Sequence, residues 1–457
     1  MDGLKYILTS VVGAFLLIWM TFMSVHCQHQ TEKPDQAYEV CLAWNKLLLE
    51  LERNTPGYRP PISARMFAYV ALGAYEAALP ALPDHISMET YLKGYQKTEF
   101  PDAAQPFSMA ASLNTTYAQL LRQFFPTAST SLLNKVEALE ARFDQQLLAN
   151  HPATFENSAK FGKTVAENVW NYSVSDTFGN NGFLFNYDRN YHPPQCEGCW
   201  QPTAPLYMPP LAPGWARVRT FIVPLNAVNW SPPIPYSETP GSAYYTQAME
   251  VFSVSQPLSK ENKWIAEFWS DDLEGFTITP AGRWISIVNQ VIEKAKPDVS
   301  TTLETYLKAS MGLCDVAVHC WAIKYRYNIE RPQEYIRRVI DPNWSPLHGN
   351  PSFPAYPSGH ACFGAAVATV LADVFGDQFT MEDKTHQNRP EFDSTPRTFY
   401  SFSDMARENA LSRIVGGVHY RMDCEEGLRL GRIIGQKVAS ITLLKSKLSL
   451  QVSKQGL

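Results

Sequence analysis

Along most of this chain apolar positions recur every third or fourth residue, the spacing of amphipathic helices. Gln36–Glu52 is the first such stretch. Pro60, Pro61 and Ser63 open a second, in which Ala64, Ala68, Ala71, Ala74 and Ala77 form a stripe of small side chains that lets helices pack closely. Gln105–Phe125, Ser129–Asn150 and Glu156–Val174 keep the same period, so the chain up to Val174 reads as all-α. The period is lost from Ser175 to Pro240, where Gly179-Asn-Asn-Gly182 and repeated prolines break any helix. So long an aperiodic segment is expected either to wall a functional site or to wrap the surface of the helices. Helical spacing resumes in Ser242–Val254, Lys260–Asp271, Pro280–Lys294 and Ser300–Asn328. A proline-rich loop, Asp341–Pro357, leads into an apolar helix from Ser358-Gly359 to about Phe375. At roughly 1.5 Å per residue that helix is too short to cross a bilayer, which makes it a core helix. Gln378–Ser403 reads as polar loop, Asp404–Val415 as a helix broken by Gly416-Gly417, and Leu428–Leu450 as the last helix.

Composition narrows the picture. The 457 residues are 45% apolar and 18% charged, enough for a large core. A net charge of −5 argues against a nucleic-acid partner. Lys5 precedes an uncharged run, Ile7–Val25, that fits a cleaved export signal, an uncleaved membrane anchor or, at Cys27, a lipoprotein. From a bacterial cytoplasm each would export the remainder, to the periplasm or outside. Eight cysteines are present. Cys196-Glu-Gly-Cys199 lies among prolines, with no second pair at zinc-like spacing, and reads as a local disulfide rather than a metal half-site. Cys314, Cys320 and Cys362 sit in apolar helical sequence and read as buried thiols.

The candidate chemistry is concentrated in three stretches: Lys324-Tyr-Arg-Tyr-Asn-Ile-Glu-Arg331-Pro332, Pro357-Ser358-Gly359-His360, and Ser412-Arg413-Ile-Val-Gly416-Gly417-Val-His419-Tyr-Arg-Met-Asp423. Lys324, Arg331, Ser358, Gly359, His360, Arg413 and His419 are mostly hydrogen-bond donors, and three carry fixed positive charge. That set suits a phosphate- or vanadate-like oxyanion. Pro332 disfavours helical geometry at Arg331, so the helix carrying Lys324 is expected to end there, with both cations converging on one anion. A salt-bridged surface helix, using Glu330 and Glu334, is the plainer alternative. The start of the Ser358-Gly359 helix offers free amides and a favourable dipole, and Gly359 permits close backbone approach. His360 alone would read as a structural histidine; behind Ser-Gly at a helix start it reads as an acid–base group. Asp423, four residues after His419, is placed to orient the imidazole.

Together the three stretches resemble the signature of the vanadium haloperoxidase and type 2 phosphatidic acid phosphatase superfamily. The context Asn350-Pro-Ser-Phe353-Pro-Ala-Tyr-Pro-Ser-Gly-His360 is similar to that of the soluble bacterial haloperoxidases, including iodoperoxidases. The resemblance implies two packed four-helix-type bundles. Residues 28–174 would be a helical scaffold behind the export segment 1–27, 175–240 a long irregular region, and 241–457 the bundle carrying the oxyanion site. It implies vanadate as cofactor, with His419 bonding vanadium or, in a phosphatase, attacking phosphorus. Lys324, Arg331, Ser358, Gly359 and Arg413 would hold the oxygens, Lys324 polarising bound peroxide, and His360 would move the proton. Trp321 and Phe353 fall where halide-site residues are expected. The implied activity is oxidation of halide by hydrogen peroxide, iodide first and bromide next. An exported acid phosphatase acting on phosphate monoesters is the alternative. Against a third reading, an oxyanion binder without turnover, stand the two histidines. Halide order, organic acceptor and oligomeric state are not written in the motifs.

Overall fold

The computed structural model of the chain describes residues 34–448, apart from 103, 151, 272, 274, 388, 390–392 and 394. The expected export segment and Cys27 lie outside the described residues. The architecture is all-α, as the periodicity predicts, with a single short hairpin among the described residues. The helices are α1 Pro34–Asn54, α2 Pro60–Ala78, α3 Met109–Phe124, α4 Thr130–Asn150, α5 Pro152–Val174, α6 Ala243–Ser255 and α7 Lys260–Phe268. They continue as α8 Pro280–Ala295, α9 Val299–Tyr327, α10 Pro332–Val339, α11 Gly359–Phe375, α12 Phe402–Val415 and α13 Arg421–Ala439. Among the described residues no helix is long and apolar enough to cross a membrane.

Two groups of helices share one long member. In the first, α3 packs against α1, α2, α4 and α5; in the second, α11 packs against α8, α9, α12 and α13. Helix α9 also packs along α2 and so belongs to both groups. Close approach of α13 to α11 depends on Gly427, Gly431 and Gly435. A Cβ on them would lie 2.7 Å from the Ser358 carbonyl oxygen, 2.3 Å from that of Cys362 and 2.6 Å from that of Ala366. Glycines four apart thus open a groove that lets the two backbones touch.

Several boundaries differ from the sequence reading, each for a local reason. Helix α9 stops at Tyr327 because Asn328 adopts the left-handed conformation (φ 52°, ψ 42°) and its amide donates to the Lys324 carbonyl. Arg331 is extended (φ −79°, ψ 153°), as the proline after it favours, and Pro332 begins a helix, α10, in a stretch to which the sequence reading assigned no element. Helix α13 starts at Arg421 rather than Leu428, where the Asp423 carboxylate accepts the Tyr420 amide at 3.0 Å, and it ends at Ala439. The polar stretch after α11 contains an antiparallel hairpin, β1 Met381–Asp383 with β2 Arg397–Phe399.

The aperiodic segment has no α-helix or strand, only short 3-10 turns. It is held onto α9 by specific bonds. Asp315, fully buried, accepts the amides of Phe221, Ile222 and Val223 at 2.6, 2.8 and 2.7 Å. Leu211 accepts from the Trp321 indole at 3.2 Å and the Tyr325 hydroxyl at 2.7 Å, and its amide donates to Ser352. Cys196 and Cys199 are disulfide-bonded, as expected, and Cys314, Cys320 and Cys362 are buried free thiols.

Candidate active site

All of the singled-out residues meet where α9, the loop into α11, and the α12–α13 turn converge. One narrow cavity is lined by Trp321, Phe353, Gly359, His360, Arg413 and His419, among others. Each motif contributes through its local geometry. Lys324 sits in the last turn of α9, and Arg331 is delivered by the extended step after Asn328. Ser358 caps α11, its hydroxyl accepting from the Ala361 amide, so Gly359 and His360 are the first two helical residues. Arg413 lies in the last turn of α12. At Gly417, φ is +80°, a left-handed step that favours glycine and turns the chain back toward the site before His419. The Ser358 amide donates to the Asp423 carbonyl at 2.9 Å and so ties the second motif to the third.

The two histidines differ in their partners. His419 Nδ1 lies 2.9 Å from Asp423 Oδ2, which also accepts the Tyr420 amide at 3.0 Å. His419 Nε2 is 3.1 Å from Arg331 Nη1. With Nδ1–H donated to the carboxylate, Nε2 carries the lone pair that faces the guanidinium. Burial, then the charges of Arg331, Lys324 and Arg413, hold the His419 pKa well below its usual value, so the ring is neutral. Burial pushes the Asp423 carboxyl up to about 7. His360 is 5% exposed, and its Nε2 is buried without a hydrogen-bond partner. Its pKa is likewise well below the usual value, through burial first and then Arg413, Arg331, Arg283 and Lys324. A buried, unsatisfied imidazole nitrogen is costly in a finished core and marks a position where a ligand completes the bonding.

The cations are deployed on backbone carbonyls. Lys324 Nζ donates to Pro354, Ala355 and Pro357 at 2.8, 2.9 and 2.6 Å. Arg331 donates through Nε and Nη2 to Phe353 at 3.0 and 2.9 Å, and through Nη1 to Val418 at 2.8 Å. Arg413 Nη1 reaches the Trp269 carbonyl at 3.3 Å. Burial pushes the Lys324 ammonium down to about 8. The surface-helix reading is excluded, since Lys324 and Arg331 are fully buried. Glu330 instead pairs with Arg338. The Phe353 ring is 5.0 Å from both Lys324 Nζ and Arg331 Cζ, and 5.1 Å from the Trp321 ring. The two aromatics therefore form an apolar wall on the cationic shell.

Sequence reasoning missed the groups behind this shell. Arg283 on α8 is fully buried, bonded to Asp271 and Asp383, and its guanidinium lies over Phe268 and Trp269. It contributes to the field on His360 and fixes the segment whose Trp269 carbonyl receives Arg413. The available signal was one charged residue inside the apolar run of α8; its partners lie far off in sequence.

The donor set fits an oxyanion such as vanadate. It offers a hydroxyl at a helix start, two guanidiniums, the positive field of an ammonium whose three N–H bonds go to loop carbonyls, an unpartnered His360 nitrogen, and a His419 nitrogen whose lone pair is set by Asp423.

Helical architecture and motif geometry together define an oxyanion-type site at the meeting of three helices. Residues 304–445 match the VCPO second helical-bundle domain. The vanadium chloroperoxidase of Curvularia inaequalis is 24% identical, over 84% of this chain and 78% of that protein. A bacterial vanadium-dependent iodoperoxidase of known structure superposes with a TM-score of 0.78 at 28% identity, covering 88% of this chain and 97% of that one. The holo form of a bacterial vanadium-dependent chloroperoxidase shares the fold, with a TM-score of 0.63 at 18% identity over 83% and 92% of the two chains. In motif, in the domain matched at residues 304–445 and in fold, this chain is similar to the vanadium haloperoxidases.

Proposed function

We propose that this chain is a vanadate-dependent haloperoxidase that oxidises iodide preferentially and bromide less well, using hydrogen peroxide. The observation that carries the reading is the unsatisfied His360 Nε2, in a cavity it shares with His419, Arg413 and the Trp321 and Phe353 rings. Bound vanadate would supply Lewis-acid activation of peroxide. His419 would hold it through Nε2, with Asp423 fixing the tautomer. Arg331, Arg413, Ser358 and the Gly359 amide would hold its oxygens. Lys324 would contribute positive field, and a direct bond on exchanging one of its three loop carbonyls. His360 would take or return a proton at Nε2. Trp321 and Phe353 would exclude water beside the shell, which favours the halide whose desolvation costs least, iodide. The iodoperoxidase likeness at 28% identity supports the same preference. The Cys196–Cys199 pairing supports work in an oxidising compartment after export.

The test is an assay of purified protein, stripped of vanadate and then reloaded, for peroxide-dependent oxidation of iodide, bromide and chloride and for phosphate-monoester hydrolysis. Iodide oxidation that appears only with vanadate and exceeds bromide oxidation is expected. Full peroxidase activity after stripping, or ester hydrolysis as the dominant activity, would overturn the reading.

A further inference from the structure

A second cavity, of about 300 Å3, adjoins the site and shares Arg413 and Pro351 with it. One side is apolar: Leu206 and Met208, from the aperiodic segment, are 76% and 37% exposed at its mouth. Large side chains left in water at the rim of a cavity mark a surface that a ligand covers. The other side is polar. His348 Nε2 is buried there without a hydrogen-bond partner. Two buried guanidiniums, Arg59 and Arg413, also line the cavity. An apolar side facing cationic groups matches a flat ring carrying negative charge.

We propose that this cavity binds a small aromatic anion, a phenol bearing a carboxylate, as the acceptor of the oxidised halogen. This rests on the haloperoxidase reading for its chemistry, though the cavity's ligand class does not. A hypohalous acid leaving the inner cavity past Arg413 would meet the ring. A ring carbon then bonds the halogen, the halogen–oxygen bond breaks with its electron pair on oxygen, and the displaced ring proton joins that hydroxide to give water. Halogen is reduced and the ring oxidised, so no further reactant is needed.

The experiment uses the full chain without peroxide or halide, with 4-hydroxybenzoate as probe. Saturation-transfer NMR and a titration read binding, and thermal melting confirms that each variant is folded. Binding in the wild type is expected, weakened about fivefold or more by Leu206→Asp and by His348→Leu. The uncharged analogue 4-hydroxybenzyl alcohol should bind about tenfold more weakly. Binding must also survive saturating vanadate. Absence of binding, equal affinity in both variants, or displacement by vanadate would overturn the proposal. Iodide oxidation is measured separately on the same preparation. Oxidation without probe binding sinks the acceptor pocket alone. Probe binding without oxidation supports the pocket and sinks the haloperoxidase reading.

Discussion

Gly359→Ala separates what the site needs from what the fold needs. Gly359 is the first residue of α11, and a Cβ there would meet only the Trp321 ring, at 3.8 and 3.9 Å, and the Phe363 ring, at 3.9 Å. Those are ordinary van der Waals separations, so nothing has to move. The backbone is helical, and replacing glycine by alanine there stiffens the unfolded chain. Stability should hold or rise by about 0.5 kcal/mol. Yet the added methyl stands between two walls of the cavity, where an anion would meet the Gly359 amide. A vanadate affinity at least about tenfold weaker is expected, equivalent to about 1.4 kcal/mol. Gly431→Ala is the opposite case. Its Cβ would sit 2.3 Å from the Cys362 carbonyl oxygen, a backbone atom of α11. Overpacking of that kind costs roughly 1–3 kcal/mol. Calorimetric melting and equilibrium dialysis with vanadate, run on both variants, read the two effects. A Gly359→Ala protein that melts well below the wild type refutes the packing argument, and one that binds vanadate normally refutes the role of the amide.

Phe353→His and Trp321→Arg should each change the ratio of iodide to bromide oxidation by about threefold or more, since each replaces apolar wall with a polar group; ratios unmoved in folded, vanadate-loaded variants remove both residues from the halide site. Glu76, 2% exposed, accepts from the Met88 amide at 2.7 Å, and burial pushes its carboxyl up to about 7 from an ordinary 4.5. Between those values the folded chain keeps a proton that the unfolded chain has lost, so the stabilisation is full below 4.5 and is lost as pH rises through 7, by up to about 3 kcal/mol. Urea unfolding at pH 5 and pH 8 should therefore show Glu76→Gln gaining on the wild type as pH rises, and a constant difference would contradict the buried-carboxyl account. The Cys196–Cys199 loop bonds the step between the two cations, through the Trp200 amide to Asn328 and the Glu330 amide to Gly198. Cys196→Ser with Cys199→Ser should weaken vanadate retention about threefold or more by loosening that step, with unchanged retention ruling out the linkage.

Helices were legible in the sequence wherever a buried face gave them a period. Helix α10 was not, because it spans only two turns and its start, Pro332, was read solely as the end of α9. The true end of α9 depends on Asn328 taking a left-handed conformation, which asparagine tolerates but its presence in the sequence does not dictate. The hairpin around Met381 has strands of three residues, too short for alternation to register. Within the site, the seven motif residues, Trp321, Phe353 and Asp423 were all visible as residue types at motif positions, and the structure brings them together. Their partners were not visible. That Lys324 and Arg331 hold the carbonyls of residues 353–355 and 357 depends on how a proline-rich loop turns, and backbone carbonyls carry no sequence signature. Arg283 escaped for a related reason: Asp271 and Asp383 reach it only through the tertiary fold.

The claim on which the rest depends is that His419 holds vanadate while His360 serves proton transfer. It is tested most directly by measuring vanadium per chain, after loading and desalting, in the wild type, His419→Ala and His360→Ala, beside the rate of iodide oxidation. The account predicts about one vanadium per wild-type chain, loss of retained vanadium in His419→Ala, and substantial retention with lost turnover in His360→Ala. Equal vanadium in all three proteins, or none in the wild type, would contradict it.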